Sequence, residues 1–238
     1  MELAFIAGEQ LGAGTAMGGD MNTGLATRNT EISKSVPPTL IAVILDESGS
    51  MGTKWDDVVG GFNHFLEEQR ALPDSCRMSL TKFNTLCRLL YPPTPLAQVP
   101  PLDKSNYTPG GNTALFDAIA ETVRVAENHK LEDERVLCLI VTDGQENASR
   151  ETTGAQVTHL IKAHEERGDW TFVYLGVAPD QFVRDMHLAG TQTATNTAAY
   201  NTAAPRQTWS QTSQGTTIYR TRPDKSGTDF YDPTKSDS

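Results

Sequence analysis

Five side chains stand out as able to do chemistry together. Asp46, Ser48 and Ser50 fall in the run Asp-Glu-Ser-Gly-Ser. Thr113 follows Pro109-Gly110-Gly111-Asn112, and Asp143 opens an Asp-Gly pair. Two carboxylates and three hydroxyls make an all-oxygen set. Oxygen-only sets suit hard divalent cations, Mg²⁺ first with Mn²⁺ or Ca²⁺ as alternatives, and not zinc. If the hydroxyls bind directly while the aspartates act partly through water, the cation stays electron-poor and prefers an incoming carboxylate. Loop-to-helix starts nearby also favour an anion. One Asp-x-Ser-x-Ser arises by chance in about one chain of this size in fifteen. The setting of all three segments makes the set specific.

That setting is a series of strands that must end at the same edge. Leu40 to Leu45 is a continuous apolar run ending in Asp46, and Val136 to Thr142 is a second one ending in Asp143. Continuous apolar runs read as parallel strands buried on both faces. Trp170 to Val177 is a third. Cys76 to Phe83 and Leu86 to Tyr91 read as an antiparallel hairpin, followed by a Pro-rich loop from Pro92 to Gly111. Helical spacing covers Trp55 to Leu66, Thr113 to His129 and Thr153 to Arg167, with a short helix at Pro179 to Leu188. Thr53 and Asp56 have capping-box spacing, and Gly60-Gly61 implies close packing inside the first helix. An edge strand is expected near Thr193 to Tyr200 and a last helix from Pro205, anchored by Trp209. The fold class is therefore α/β: a doubly wound, mostly parallel central sheet with one antiparallel strand and helices on both faces. The domain spans 38–221. Residues 1–37 read as a flexible N-terminal arm and 222–238 as a disordered C-terminal tail. In such sheets ligands bind beyond the carboxyl ends of the strands, where strand order reverses.

The 238 residues carry a net charge of −10, which disfavours nucleic acid because phosphate binding needs a basic surface. No stretch has the length of a membrane span. The N-terminus lacks a basic segment followed by an apolar block, so the expected location is cytoplasmic, without membrane attachment. Three cysteines, Cys76, Cys87 and Cys138, are an odd number and too few for a disulfide framework. Asp117 is expected to satisfy loop amides, Asn147 to order the Asp143 loop, and Glu146 to be a solvated rim residue.

The matching segments are Ile44-Leu45-Asp46-Glu47-Ser48-Gly49-Ser50-Met51, Gly110-Gly111-Asn112-Thr113-Ala114-Leu115-Phe116-Asp117-Ala118 and Ile140-Val141-Thr142-Asp143-Gly144. With them the chain resembles a von Willebrand factor type A (vWA) domain, a Rossmann-like fold, with an intact metal-ion-dependent adhesion site. Its wording is nearest to stand-alone bacterial and phage members, and the resemblance covers about residues 38 to 220. It implies Ser48, Ser50 and Thr113 as direct ligands, with Asp46 and Asp143 holding waters or binding directly. It further implies that a partner protein's Glu or Asp completes the shell. The expected function is a metal-dependent protein-binding module and not an enzyme, since no nucleophile–base pair accompanies the site. A scaffold subunit working with a ring-forming ATPase is an alternative. A metal-assisted phosphatase or hydrolase is another, with Asp46 as phosphate acceptor, but Ser48 stands where such enzymes place a second Asp. The sequence names neither the partner nor the oligomeric state.

Overall fold

The computed structural model describes residues 36–200, 205–223 and 230–231. The expected N-terminal arm lies almost wholly outside them. The chain enters through β1 (Thr39–Asp46), buried at every position. A 3₁₀ turn (Gly49–Lys54) leads into α1 (Trp55–Arg70). β2 (Cys76–Phe83) and β3 (Cys87–Pro95) follow, then α2 (Leu115–His129), β4 (Arg135–Val141) and α3 (Gly154–Glu166). β5 (Trp170–Gly176), α4 (Pro179–Asp185), α5 (Gln192–Thr195), β6 (Thr197–Ala199) and α6 (Pro205–Thr221) complete the order.

The six strands lie in the order β3-β2-β1-β4-β5-β6, with only the β2–β3 pair antiparallel. This is the doubly wound sheet expected. The chain leaves β1 toward β2 on one side and returns to β4 on the other, so the order reverses between β1 and β4. Their register aligns Leu45 with Val141. Alternation across the pleat sends Ile41, Val43 and Leu45 toward α1 and α6, while Leu40, Ala42 and Ile44 face α2 and α3. Two apolar layers thus clamp β1, and its last residue is held against movement from both faces.

Several local expectations change. The Thr53–Asp56 capping box is absent. Residues 49–54 wind as a 3₁₀ turn, Thr53 Oγ1 donates to Ser50 O at 3.1 Å, and α1 begins at Trp55 without a side-chain cap. The capping box in the structure is at α3, where Thr153 and Gln156 exchange hydrogen bonds. The strand expected near Thr193 to Tyr200 is partly helical. Thr191 Oγ1 accepts from Ala194 N at 3.2 Å and starts the α5 turn, leaving only three residues for β6. β3 runs on through Pro92, Pro93 and Pro95, which an edge strand tolerates because its outer amides need no partner.

Of the paired glycines in α1, Gly61 is the one that matters. A Cβ there would sit 2.0 Å from the Trp209 ring, so Gly61 forms the notch that seats α6. In the segment expected as a tail, Phe230 and Tyr231 are described. Phe230 N donates to Asn196 Oδ1 at 3.0 Å, and its ring lies over Gly215 of α6. The rest of that segment lies outside the described residues.

Candidate metal centre

β1 and β4 deliver the two carboxylates to the point where strand order reverses. Asp46 is the last residue of β1 and is 0% exposed. The register sets it beside Thr142, whose Oγ1 donates to Asp46 Oδ2 at 2.6 Å. Ser48 N donates to Asp46 Oδ1 at 2.6 Å, an Asx-type turn that folds the loop back over the strand. Ser48 Oγ and Ser50 Oγ lie 3.2 Å apart, and Ser50 Oγ donates to Asp143 Oδ1 at 2.6 Å. Gly144 closes the cluster. Its Cβ, if present, would stand 3.0 Å from Thr113 Oγ1, tighter than an ordinary contact, and 3.7 Å from Asp46 Oδ2, in van der Waals contact. All five residues picked from the sequence therefore meet at one place. Ser48 and Thr113 are buried, and Ser50 is exposed at the mouth.

A scaffold of polar contacts holds the three loops in register. Gly49 N donates to Gly111 O at 3.0 Å and Gly110 N to Glu47 O at 2.8 Å, so the first and second loops run side by side. Gly111 takes φ +80°, a backbone conformation that glycine adopts freely. Thr113 N donates to Asn147 Oδ1 at 2.9 Å, while Asn147 N donates to Thr113 O at 3.0 Å. Asn147 thus ties the second loop to the third. Asp117 accepts the amides of Arg150, Glu151 and Thr152, as expected of it. Glu146 is no solvated rim residue. It accepts from Phe116 N, Ala148 N, Ser149 N and Ser149 Oγ at 2.7 to 2.9 Å, which fastens the Asp143 loop to the start of α2.

Glu47 was not singled out from the sequence as part of this machinery. It is buried, and its Oε1 accepts Lys82 Nζ at 2.7 Å and Thr108 N at 2.6 Å. Lys82 also donates to Asn106 O. Lys82 in a strand that is otherwise buried was the available signal, because a buried ammonium demands a partner.

Burial pushes the Asp46 carboxyl above its ordinary range, and the Asp143 charge adds to the effect; Thr142 and Ser48 oppose it. Among the described residues Asp46 has only neutral donors. Asp143, its side chain 1% exposed, also receives the Lys54 ammonium. Among the described residues no three His, Cys, Asp or Glu side chains gather into a metal-ligating group. The hydroxyl-rich set is a different kind of site, with only two carboxylates. Chemically it fits a hard divalent cation. A buried, under-compensated carboxylate pair attracts positive charge, and three neutral oxygens supply donors without cancelling it.

An open α/β sheet with polar loops gathered at its switch point defines a class of ligand-binding domain. Within that class, the model of the von Willebrand factor type A domain matches residues 41–211, and the chain belongs to that family. No curated protein matches it. Among solved structures, the chain resembles a von Willebrand factor type A protein from Catenulispora acidiphila at 15% identity, TM-score 0.52. That match covers 76% of this chain and 43% of the other. The vWF domain of the type V pili tip protein Mfa5 from Porphyromonas gingivalis matches at 12% identity and TM-score 0.54, covering 79% and 97%. Proximal thread matrix protein 1 from the mussel byssus, with a zinc-occupied adhesion motif, matches at 16% identity and TM-score 0.50, covering 73% and 45%. The chain spans less than half the length of the Catenulispora and mussel chains. At such identities the likeness is one of fold. No helix among the described residues is long and apolar enough to cross a membrane.

Proposed function

We propose that the chain is a divalent-metal-dependent protein-binding module. Asp46, Ser48, Ser50, Thr113 and Asp143 would hold a Mg²⁺, and a Glu or Asp of a partner protein would complete its shell. Mn²⁺ or Ca²⁺ would serve in its place. The supporting observation is the buried carboxylate pair beneath three hydroxyls, open to solvent at Ser50. When bound, the cation would supply a Lewis-acidic point for an anionic side chain. The chain's own residues would orient it through the loop contacts around Asn147, Glu47 and Gly144. The protein is read as non-enzymatic and cytoplasmic.

The phosphatase alternative gains no support. Asp46 is buried, each of its oxygens accepts a hydrogen bond, and Ser48 stands where a second Asp would be needed as the acid. Work with a ring-forming ATPase stays compatible with the binding role.

The test is capture of partners from the native host with and without EDTA, using wild type, Asp46→Ala and Thr113→Ala. Capture should require the metal and both side chains, with each variant keeping a cooperative melt. Equal capture in EDTA, or by folded variants, would falsify the reading.

A further inference from the structure

Beside the five residues, sharing Asp143 with them and bordered by Gly144, lies a groove of about 460 Å³. Phe116, Tyr174, Phe182 and Met186 line it. Tyr174 and Phe182 stack face to face, ring centroids 3.9 Å apart at 6°. The stack depends on one residue: a Cβ on Gly176 would lie 2.3 Å from the Tyr174 hydroxyl, so only glycine lets that ring fold back over the end of β5. Val177 forms an apolar lip and is 53% exposed. Asp185 stands exposed on the rim, and the side chain of Asp143 lies buried where the groove meets the cluster.

Val177 and the half-buried Phe116 keep apolar surface open to water over the buried Tyr174–Phe182 stack, a cost that an occupant would remove. We infer that this groove receives a bulky, uncharged apolar side chain, aromatic or methionine-like, one or two residues from the metal-binding carboxylate of the same partner segment. The inference rests on the metal-dependent reading above and specifies its partner. Contiguity supports it. The groove abuts the carboxylate cluster, and one or two residues of extended chain span about 4 to 7 Å. Charge supports it too. The exposed Asp185 carboxylate repels a second acidic side chain, so the partner's acidic and apolar residues have distinct seats. Apolar and aromatic side chains make up about half of the lining, and the carboxylate of Glu146 is already taken up by amides of its own loop and of α2.

The test pans a displayed library of random peptides, about ten residues long, on the immobilised full chain in Mg²⁺, with elution by EDTA. The eluted pool should be enriched in Asp or Glu together with Phe, Trp, Tyr, Leu or Met at a fixed offset of one or two. A synthetic peptide from that pool should bind roughly 10- to 100-fold more tightly than its counterpart with Ala at the apolar position. Val177→Ser, a surface change, should cut that preference, and Phe116→Ala should cut it further, with Mg²⁺ affinity unchanged in both. An acidic enrichment with no apolar companion, or a preference indifferent to Val177→Ser, overturns the groove assignment and leaves the metal reading standing. A pool with no EDTA-eluted acidic enrichment overturns both.

Discussion

Buried charge is fully matched at the amino ends of the strands and only partly matched at the carboxyl ends. At the amino ends of the strands, Arg220 is 1% exposed and fully matched. Its guanidinium makes a fork to Asp74 at 2.9 and 3.0 Å and reaches Gln69 O and Oε1 at 2.6 and 3.0 Å. Arg77 pairs with Glu134 there in the same bidentate manner, at 2.6 and 2.9 Å. At the carboxyl ends, Glu47 has Lys82 and Asp143 has Lys54, but the equally buried Asp46 meets hydroxyl and amide donors among the described residues. Matched charge fixes α6 to the body of the domain. Unmatched charge is a standing demand for a cation. A buried ionisable group is thus informative about function only after its partners have been counted.

The largest way to break this contrast is at the matched end. Arg220→Ala strands Asp74 and Gln69 and should cost about 3–5 kcal/mol in urea unfolding. Mg²⁺ affinity should be unaltered in the fraction that folds. An unfolding midpoint within error of wild type would mean that the fork is not what holds α6.

At the partly matched end the sign reverses. Asp46 binds a proton more readily folded than unfolded, so ionising it weakens the native state. In EDTA, the stability tied to this group is present below pH 3.8, its ordinary value, and is lost as pH rises through the raised one. Asp46→Asn should therefore melt no lower than wild type in EDTA at pH 7. It should also lose the gain that Mg²⁺ would give wild type, about 2.7 kcal/mol at a hundred times Kd. A variant that melts far below wild type in EDTA would show that Asp46 is a structural cap. A smaller effect belongs to Lys54, which shares Asp143 with any incoming cation. Lys54→Gln should tighten Mg²⁺ binding about three- to fivefold by isothermal titration, the scale of a partly screened ion pair. Weaker binding would count against competition between the two.

Much of this was legible in the residue order. Apolar runs at 40–45 and 136–141 announce strands buried on both faces, and an Asp closing each run marks the sheet edge where ligands collect. Trp209 reads as an anchor because a lone large ring in a Thr- and Gln-rich stretch has little else to bury. What escaped depends on contacts between distant residues. Glu146 looks like an exposed acid until the start of α2 arrives with unpaired amides. The Glu47–Lys82 pair needs β1 and β2 side by side. The groove exists only because α4 folds over β5 and Gly176 yields to Tyr174. The capping-box spacing at Thr53 has another local use, since Thr53 bonds back to Ser50 within a 3₁₀ turn.

The cross-bracing of the three loops carries a kinetic consequence. Asn147 joins Thr113 to the Asp143 loop, Glu146 and Asp117 bolt that loop to α2, and Glu47 bridges the remaining gap. The ordering entropy of the loops is thereby spent during folding and not at the moment of capture. A cation arriving at such a site would wait on the loss of its own hydration water, with little rearrangement of the chain. Mg²⁺ sheds that water reluctantly, so exchange would be slow with Mg²⁺ and quicken with a larger ion, while the protein around it stayed as it is.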